Sequence, residues 1–296
     1  MDSLSRKTTI LGAGLLGGSL GIALRRFGLA DTVDVWSPGP ATRRACAEAH
    51  WCDRVHDSPG EACRGADLVV LCGPVDTSPA LLSEIAPFCG GDCLVTDVGS
   101  TKGAVCRAAA AIFPASHPAC FIGSHPMAGS EKSGLAHATP TLFSGGICIV
   151  TPTEGSPAEA VGRIGAVWSA LGMSLRTCPP DEHDRIVAHT SHLPHFLAAT
   201  LANALAGSPP EWAECSGPGL RDTTRIAAGD PALWTAIFRS NEAALRESIH
   251  DFEKALHGMK QALDQPDDRE IGLFLRTARE FRLRLKENDG ARDPSA

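Results

Sequence analysis

The sequence predicts an α/β fold, with a doubly wound parallel sheet in the first part of the chain and an all-helical domain in the second. Two observations support this prediction. Short runs of apolar and β-branched residues alternate with helical stretches between residues 7 and 176, as in sheets built from strand–helix–strand units. After Pro179 these runs disappear, and helical periodicity continues to about residue 288. We therefore expect a first domain over 1–178, a helical domain over 179–290 and a frayed tail over 291–296.

The strands are predicted from apolar runs, and the helices from the amphipathic stretches between them. A run such as 67–72 is apolar on both faces, which is typical of a parallel strand buried in the middle of a sheet. Strands are expected over 8–11, 33–36, 67–72, 93–97, 120–122, 147–151 and 174–176, and helices over 15–27, 78–87, 102–113 and 158–171.

Composition excludes several classes of protein. The 296 residues include 27 Lys plus Arg against 34 Asp plus Glu, a net charge of −7, which argues against a general nucleic-acid binder. No apolar run reaches the roughly 18–20 residues that span a bilayer, and the start of the chain leads straight into a strand, so we expect neither a membrane protein nor a secretory signal. Eleven scattered cysteines, an odd number in a long chain, favour a reduced cytoplasmic protein over a disulfide scaffold.

A glycine-rich turn follows the first predicted strand. Gly12, Gly14 and Gly17 form a G-x-G-x-x-G motif that opens a helix. The first glycine permits the tight turn, the second lets the backbone approach a pyrophosphate, and the third lets the helix pack against the strand. The helix N-terminus offers unpaired N–H groups to the phosphates. The turn predicts a Rossmann-type NAD(P) site that also includes Leu15 and Leu16.

The choice between NAD and NADP depends on the end of the second strand. An acidic residue that binds the ribose is expected there, but the sequence reads Trp36-Ser37-Pro38, and Asp34 lies too early. Without the acidic residue a 2′-phosphate is not repelled, and Arg43 or Arg44 is placed to reach it. We therefore favour NADP and include Ser37 and Arg43 in the cofactor site. The alternative is that both arginines are solvated helix residues.

Four polar segments carry a more specific signal. They are DVGSTK at 97–102, GSHPMAGSE at 123–131, SHLPH at 191–195 and TRIAAGDPALW at 224–234. With the glycine-rich turn and the change to a helical domain, they resemble the prephenate/arogenate (cyclohexadienyl) dehydrogenase family of tyrosine biosynthesis. The resemblance covers nearly the whole chain. It implies oxidative decarboxylation of prephenate to 4-hydroxyphenylpyruvate with NAD(P)+, or of arogenate to tyrosine, by a homodimer.

The residue types agree with this chemistry. Removal of hydride from the carbinol carbon requires the hydroxyl proton to leave, and a neutral imidazole is a suitable acceptor near pH 7. His125, which matches the histidine of GSHP, is the candidate, and Ser100 would bond the hydroxyl or orient the imidazole. Ser100 is also expected to contact the cofactor. A guanidinium suits the carboxylates of the substrate, and Arg225 is a better candidate than Arg221.

Further substrate-binding residues are expected from the same segments. They are His192, His195, Ser130, Glu131 and Trp234. A capping or interface role is the alternative for the two histidines, a helix cap for Glu131, and a core or lid position for Trp234. No metal is expected, because Pro194 is predicted to interrupt the helix that carries His189, His192 and His195, and no acidic or cysteine cluster completes a zinc site.

Two other functions compete with this one. A 3-hydroxyacid-type dehydrogenase shares the architecture but relies on a catalytic lysine of the helical domain, whereas Lys254 and Lys260 lie on a polar helix. A non-catalytic dinucleotide sensor would need the glycine motif but not Ser100, His125 and Arg225 together.

Overall fold

The computed structural model describes residues 3–129 and 132–290. The chain forms two compact units, Met1–Glu242 and Ala243–Ala296. The helices between residue 179 and Glu242 thus belong to the same unit as the sheet. The tail predicted over 291–296 lies outside the described residues.

The first unit contains a six-stranded parallel sheet. Its strands are β1 (Ser5–Leu11), β2 (Ala30–Trp36), β3 (Arg54–Val55), β4 (Leu68–Leu71), β5 (Leu94–Asp97) and β6 (Cys120–Phe121), in the order β3-β2-β1-β4-β5-β6. This order reverses at β1 and β4, as in the doubly wound dinucleotide-binding fold. The predicted fold class is therefore confirmed.

A second, three-stranded sheet follows. It consists of β7 (Gly123–Pro126), β8 (Ile147–Thr151) and β9 (Ser174–Thr177), with β7 antiparallel to β8 and β8 parallel to β9. The sequence prediction was wrong in two respects here. It continued the parallel sheet through residues 147–151 and 174–176, and it predicted no strand over the GSHP segment, which follows the strand expected at 120–122. An apolar run indicates that a strand is buried but does not indicate its partner.

Thirteen helices are present in the described part of the chain. They are α1 (Leu15–Arg26), α2 (Pro40–Ala47), α3 (Pro59–Cys63), α4 (Ser78–Ile85), α5 (Gly103–Ile112), α6 (Ala158–Ala170), α7 (Pro180–Val187), α8 (Leu193–Ala206), α9 (Pro210–Glu214), α10 (Pro218–Thr224), α11 (Pro231–Ser240), α12 (Glu242–Leu263) and α13 (Arg269–Gly290). Short 3-10 turns cover Ala86–Phe88, Leu135–His137 and Arg225–Ala228.

The core lies on both faces of the parallel sheet. Neighbouring residues of one strand belong to different clusters: Ile10 packs with Leu24 and Val33 on one face, and Leu11 packs with Leu82 on the other. All five side chains are at most 1% exposed. Burial of both faces explains why the strands read as continuous apolar runs, and it holds the carboxyl ends of the strands in a fixed arrangement.

Pro194 does not interrupt the helical path, contrary to the prediction. A π-helical turn, Ala188–His192, leads directly into α8, whose first turn contains the proline. The wider π-turn directly before it accommodates a residue that has no backbone N–H to donate. Single π-turns often mark functional sites, and this one places His192 and His195 in buried positions.

The second unit contains the rest of α12 and α13. These two helices expose large apolar side chains: Leu263 is 62% exposed, Leu275 is 56% exposed and Phe281 is 57% exposed. A groove of about 860 Å³ between the helices is lined by residues such as Ala262 and Phe274. No described helix combines the length and the hydropathy needed to cross a membrane.

Candidate active site

The glycine-rich turn has the geometry of a dinucleotide cradle. Gly12 has a φ of +103°, and a Cβ atom added there would lie 3.0 Å from the backbone nitrogen of Gly73. A Cβ at Gly17 would lie 2.1 Å from the carbonyl oxygen of Gly12, whereas one at Gly14 would meet nothing within 4 Å. Gly12 and Gly17 are therefore required by the turn itself, and Gly14 faces open space that a pyrophosphate can fill.

The N-terminus of α1 completes this cradle. The first turn of α1 carries no acidic side chain, and the N-cap residue, Gly14, provides no side-chain hydrogen bond. The first N–H groups of a helix lack intrahelical partners and carry the positive end of the helix dipole. Leu15 and Leu16, which follow directly, are half-buried. The residues present therefore fit the diphosphate of NAD(P).

The end of β2 lacks a free acidic side chain. Asp34 is buried, and its Oδ2 atom accepts hydrogen bonds from Lys7 Nζ at 2.9 Å and from His56 Nε2 at 2.7 Å. Arg43 donates from Nη1 to the carbonyl oxygen of Ser37 at 2.7 Å, so it supports the loop after β2. Arg44, on the same helix, is exposed.

A cavity of about 460 Å³ brings most of the predicted substrate residues together. Ser100 comes from the loop after β5, His125 from β7, and the others from the helical segment that follows α7. The predicted residues that line it are Ser100, His125, His192, His195, Arg225 and Trp234, and Lys132 and Asp230 line it as well. Arg221 is described but does not line it, and Ser130 and Glu131 lie outside the described residues.

His125 lies at one end of a chain of buried hydrogen bonds. Its Nδ1 atom is 2.9 Å from Nε2 of His183, and Nδ1 of His183 is 2.8 Å from Oδ1 of Asp184. Asp184 also accepts from the backbone N–H groups of Lys102, at 2.7 Å, and Gly103, at 2.8 Å. The His125 imidazole is therefore bonded to His183 and not to Ser100.

Burial and neighbouring groups determine the charge states of His125, His183 and Asp184. Burial, together with the neighbouring His183 and Lys102, holds the pKa of His125 well below its ordinary value. Burial also lowers the pKa of His183, although Asp184 opposes that effect. Burial alone would raise the pKa of Asp184, but hydrogen bonds from His183, Lys102 and Gly103 outweigh it and lower the pKa. Two neutral imidazoles thus stand beside one ionised carboxylate at neutral pH.

The DVGSTK segment supplies a structural ion pair beneath the site. Lys102 is fully buried, and its ammonium group contacts the carboxylate of Asp97. The ammonium also donates to the carbonyl oxygen of Ser124 at 2.9 Å, while Asp97 accepts from the backbone N–H of Ser124 at 3.3 Å. This pair fixes β7, and with it His125, against the end of β5.

His192 presents a hydrogen-bond donor to the cavity. Asn241 donates from Nδ2 to the carbonyl oxygen of Asp184 at 2.7 Å, and the same nitrogen is 3.2 Å from Nδ1 of His192. Because the amide nitrogen can only donate, Nδ1 of His192 accepts and Nε2 carries the proton. Burial lowers the pKa of His192 to about 4. Its Nε2 atom is buried and has no partner within the described residues.

His195 and Trp234 form one wall of the cavity. Their rings stack at 3.5 Å between centroids, with an interplanar angle of 13°. A Cβ at Gly229 would lie 2.6 Å from Nε1 of Trp234, so glycine is needed for this close packing. Nδ1 of His195 is buried and, among residues 3–129 and 132–290, has no hydrogen-bond partner.

Arg225 is open to the cavity. It is exposed, and in the part of the chain that the structure describes no ion pair joins it to Asp222 or Asp230. Asp230 instead caps α11, accepting through Oδ1 from the N–H of Ala232 at 2.7 Å and of Leu233 at 3.1 Å. The guanidinium is therefore available to a ligand carboxylate.

Three buried residues of this site were missed by the sequence analysis. They are His183, Asp184 and Asn241. A His-Asp pair at the start of the helical domain is a weak signal, because such residues are usually solvated or helix-capping. Only their burial, at 0%, 8% and 5% exposure, distinguishes them. No group of three or more His, Cys, Asp or Glu side chains is placed to hold a metal ion in residues 3–129 and 132–290.

Both parts of the chain match family models and known proteins. The family model described as the prephenate dehydrogenase nucleotide-binding domain matches residues 20–176, and the model of the prephenate dehydrogenase dimerization domain matches residues 179–277. Cyclohexadienyl dehydrogenase of Zymomonas mobilis is 30% identical over 287 residues, which cover 96% of this chain and 97% of that protein.

Two solved structures are also similar. Prephenate dehydrogenase from Aquifex aeolicus, in complex with hydroxyphenyl propionate and NAD+, has a TM-score of 0.88 and 29% identity, covering 95% of this chain and 98% of that one. Synechocystis arogenate dehydrogenase has a TM-score of 0.82 and 29% identity, covering 94% and 99%. The chain belongs to the prephenate dehydrogenase family of NAD(P)-dependent oxidoreductases.

Proposed function

We propose that this enzyme oxidises and decarboxylates prephenate, and that His125 accepts the proton of the ring hydroxyl at Nε2. The observation that carries the proposal is the shared cavity. It combines a neutral imidazole, an unpaired guanidinium and a free N–H donor at the carboxyl edge of a dinucleotide-binding sheet. These groups match a substrate that carries one reacting hydroxyl and two carboxylates.

His125 and Ser100 act on the hydroxyl. Bound NAD(P)+ would accept the hydride that leaves the carbinol carbon. Nε2 of His125 takes the hydroxyl proton, and the hydroxyl group of Ser100, which lines the same cavity, bonds the substrate oxygen and orients it toward Nε2. The ring carboxylate then leaves as carbon dioxide, and its bonding electrons complete the aromatic ring, so no metal ion is required. The phenolate oxygen that results takes the proton back from Nε2 of His125.

Arg225 and His192 hold the carboxylates. Arg225 is suited to a bidentate pair with one of them. His192 adds an Nε2–H donor, which Asn241 keeps in the donating tautomer. A buried donor without a partner is costly in the free enzyme, at about 1–3 kcal/mol, so a substrate oxygen that accepts from it gains affinity.

Arogenate is the second candidate substrate. It differs from prephenate by an ammonium group in the side chain, which a carboxylate would recognise. Asp230 lines the cavity and uses only Oδ1 to cap α11, so its other oxygen is available. Asp230→Asn should therefore reduce kcat/KM for arogenate more than for prephenate, if arogenate is used.

NADP is proposed as the preferred cofactor. Asp34 of β2 is buried and paired with Lys7 and His56, and Arg44 is exposed on α2, the helix that follows β2. Because Arg43 supports the loop after β2, Arg44 is the better candidate for the 2′-phosphate. Arg44→Ala should weaken NADP binding and leave NAD binding unchanged in calorimetry, and equal effects on both would contradict this assignment.

A homodimer is proposed from the second unit. The dimerization-domain match extends into α12 and α13, and these helices expose Leu263, Leu275 and Phe281 beside an apolar groove. A second copy of the chain is the proposed occupant of this surface. Sedimentation at micromolar concentration should give a dimer, and a monomer would contradict the proposal.

One assay tests the activity. Reduction of NAD+ and NADP+ is followed in parallel with prephenate, arogenate and a small 3-hydroxyacid as substrates. Prephenate should be oxidised with release of carbon dioxide. Turnover of the hydroxyacid alone would overturn the proposed function, and cofactor binding without turnover of any substrate would indicate a dinucleotide sensor.

A further inference from the structure

We propose that Asp184 and His183 are a positioning pair that holds the proton of His125 on Nδ1 and thereby leaves Nε2 as the free proton acceptor. This inference deepens the proposed function, on which it rests. Neither residue lines the cavity. They would act on the substrate only through His125.

The argument starts at the carboxylate of Asp184. It receives three N–H groups, from the backbone of Lys102 and Gly103 and from the His183 ring. Hydrogen bonds of this kind favour the ionised form, and an ionised carboxylate can only accept. The His183 proton must therefore lie on Nδ1, where it points at Asp184.

The tautomer of His183 determines that of His125. His183 is fully buried, and as a neutral ring with its proton on Nδ1 it has a lone pair on Nε2. Nδ1 of His125 lies 2.9 Å from that atom, a distance at which one of the two nitrogens must donate. The donor is thus Nδ1 of His125, and Nε2 of His125 keeps its lone pair.

The charge of Asp184 favours the product of proton transfer, against the burial and the neighbouring Lys102 that hold the pKa of His125 low. Lys102 is balanced by its contact with Asp97, and His192 is neutral, as its lowered pKa requires. The carboxylate of Asp184 is in direct contact with the His183 ring. When the substrate O–H bond breaks and an N–H bond forms at Nε2 of His125, the new imidazolium lies one ring away from this carboxylate, which stabilises it.

Variants of His183 test the inference better than variants of Asp184. Asp184 also binds the first backbone N–H groups of α5, so its replacement can unfold the protein. His183→Leu removes the acceptor for His125. His183→Gln provides an amide oxygen that can accept from Nδ1 of His125 and an amide nitrogen that can donate to Asp184. His50→Gln is the matched control, because His50 is exposed in the turn after α2 and does not line the cavity.

The kinetic outcome separates positioning from packing. A positioned general base contributes about 10²–10⁴-fold to the rate, and His183→Leu should lose a large part of this, with kcat reduced more than about tenfold and little change in KM. His183→Gln should recover part of the loss, and His50→Gln should match the parent enzyme. An unchanged kcat in His183→Leu, or equal losses in Leu and Gln variants, would overturn the inference.

A spectroscopic measurement tests the tautomer without turnover. In protein labelled with nitrogen-15 histidine, the ring signals of His125 are assigned by their loss in His125→Asn. They should show a proton on Nδ1 and an unprotonated Nε2 in the parent enzyme, and the opposite in a fraction of His183→Leu molecules. A proton on Nε2 in the parent would refute the inference. If instead neither prephenate nor arogenate is oxidised, the proposed function fails while this result still stands.

Discussion

The cofactor turn and the substrate cavity are built in opposite ways. The cofactor turn is a continuous segment, 12–17, in which glycines remove side chains so that backbone N–H groups can face a phosphate. The substrate cavity takes its side chains from residues as far apart as Ser100 and Trp234, and a chain of buried bonds holds them. The cofactor turn depends on the absence of side chains. The substrate cavity depends on the hydrogen-bond partners and the protonation of the side chains that line it.

This difference predicts how each region responds to mutation. A change in the turn should affect cofactor binding and leave the cavity intact. A change in the cavity should affect kcat or substrate KM and leave cofactor binding intact. Four experiments test this separation, beginning with the largest expected effect.

Gly14→Val should abolish cofactor binding without loss of the fold. The φ of Gly14 is −79°, which valine tolerates, and a Cβ there meets nothing within 4 Å. The valine would occupy the space of the pyrophosphate. Calorimetry with NAD+ and NADP+ measures binding, and the melting temperature checks the fold. Gly17→Ala is the contrasting variant, because its Cβ would lie 2.1 Å from a backbone oxygen and should destabilise the protein. Normal cofactor affinity in Gly14→Val would remove this turn from the cofactor site.

His125→Asn should reduce kcat by about 10²–10⁴-fold, the usual contribution of a general base. Asparagine can still donate to His183 but cannot accept a proton from the substrate. Substrate KM and cofactor Kd should change little. Steady-state kinetics and calorimetry on the same preparation make this comparison. A loss of less than tenfold would mean that the proton leaves by another route.

Arg225→Ala should raise substrate KM more than tenfold. Loss of a charge-assisted pair with a carboxylate costs about 2 kcal/mol here, at the lower end of such pairs because the guanidinium is exposed. Arg225→Lys should restore part of the affinity, since lysine supplies the charge but not the bidentate geometry. Cofactor Kd and melting temperature should stay unchanged. If Arg225 only stabilises the helices, the melting temperature would fall and the binding of both cofactor and substrate would weaken.

The buried histidines should make stability depend on pH. Burial lowers the pKa of His192 to about 4, below the value of roughly 6.5 in an unfolded chain. Between these values the unfolded state binds more protons than the folded state does. The contribution of His192 to the free energy of unfolding is therefore fully present above about pH 6.5 and is lost as the pH decreases toward 4. For His192 alone the loss amounts to about 3 kcal/mol. The melting temperature of His192→Gln should depend less on pH over this range than that of the parent protein. The same pH dependence in both proteins would refute the lowered pKa assigned to His192.

The two regions also differ in how well the sequence predicted them. The glycine-rich turn was predicted with its strand and helix, because its geometry follows from a local pattern of residues without side chains. Ser100, His125, His192, His195, Arg225 and Trp234 were predicted from motifs, and the structure brings all six to one cavity. Their individual roles remain predictions that the experiments above test.

Other features were decided only by tertiary structure. The strand at His125 belongs to a separate sheet, the π-turn accommodates Pro194, and His183, Asp184 and Asn241 take their importance from burial.

The sequence by itself determined the alternation of strands and helices in the parallel sheet, the glycine-rich turn of the cofactor site and the residue types available for the chemistry. Apolar periodicity and glycine geometry are local properties, and a local pattern is sufficient to specify them. Tertiary structure decided which nitrogen of each histidine carries the proton. That choice depends on the atom that each ring faces, and for His125 and His192 these atoms belong to residues 58 and 49 positions away along the chain. Hydrogen bonds between such distant residues form only when the chain has folded.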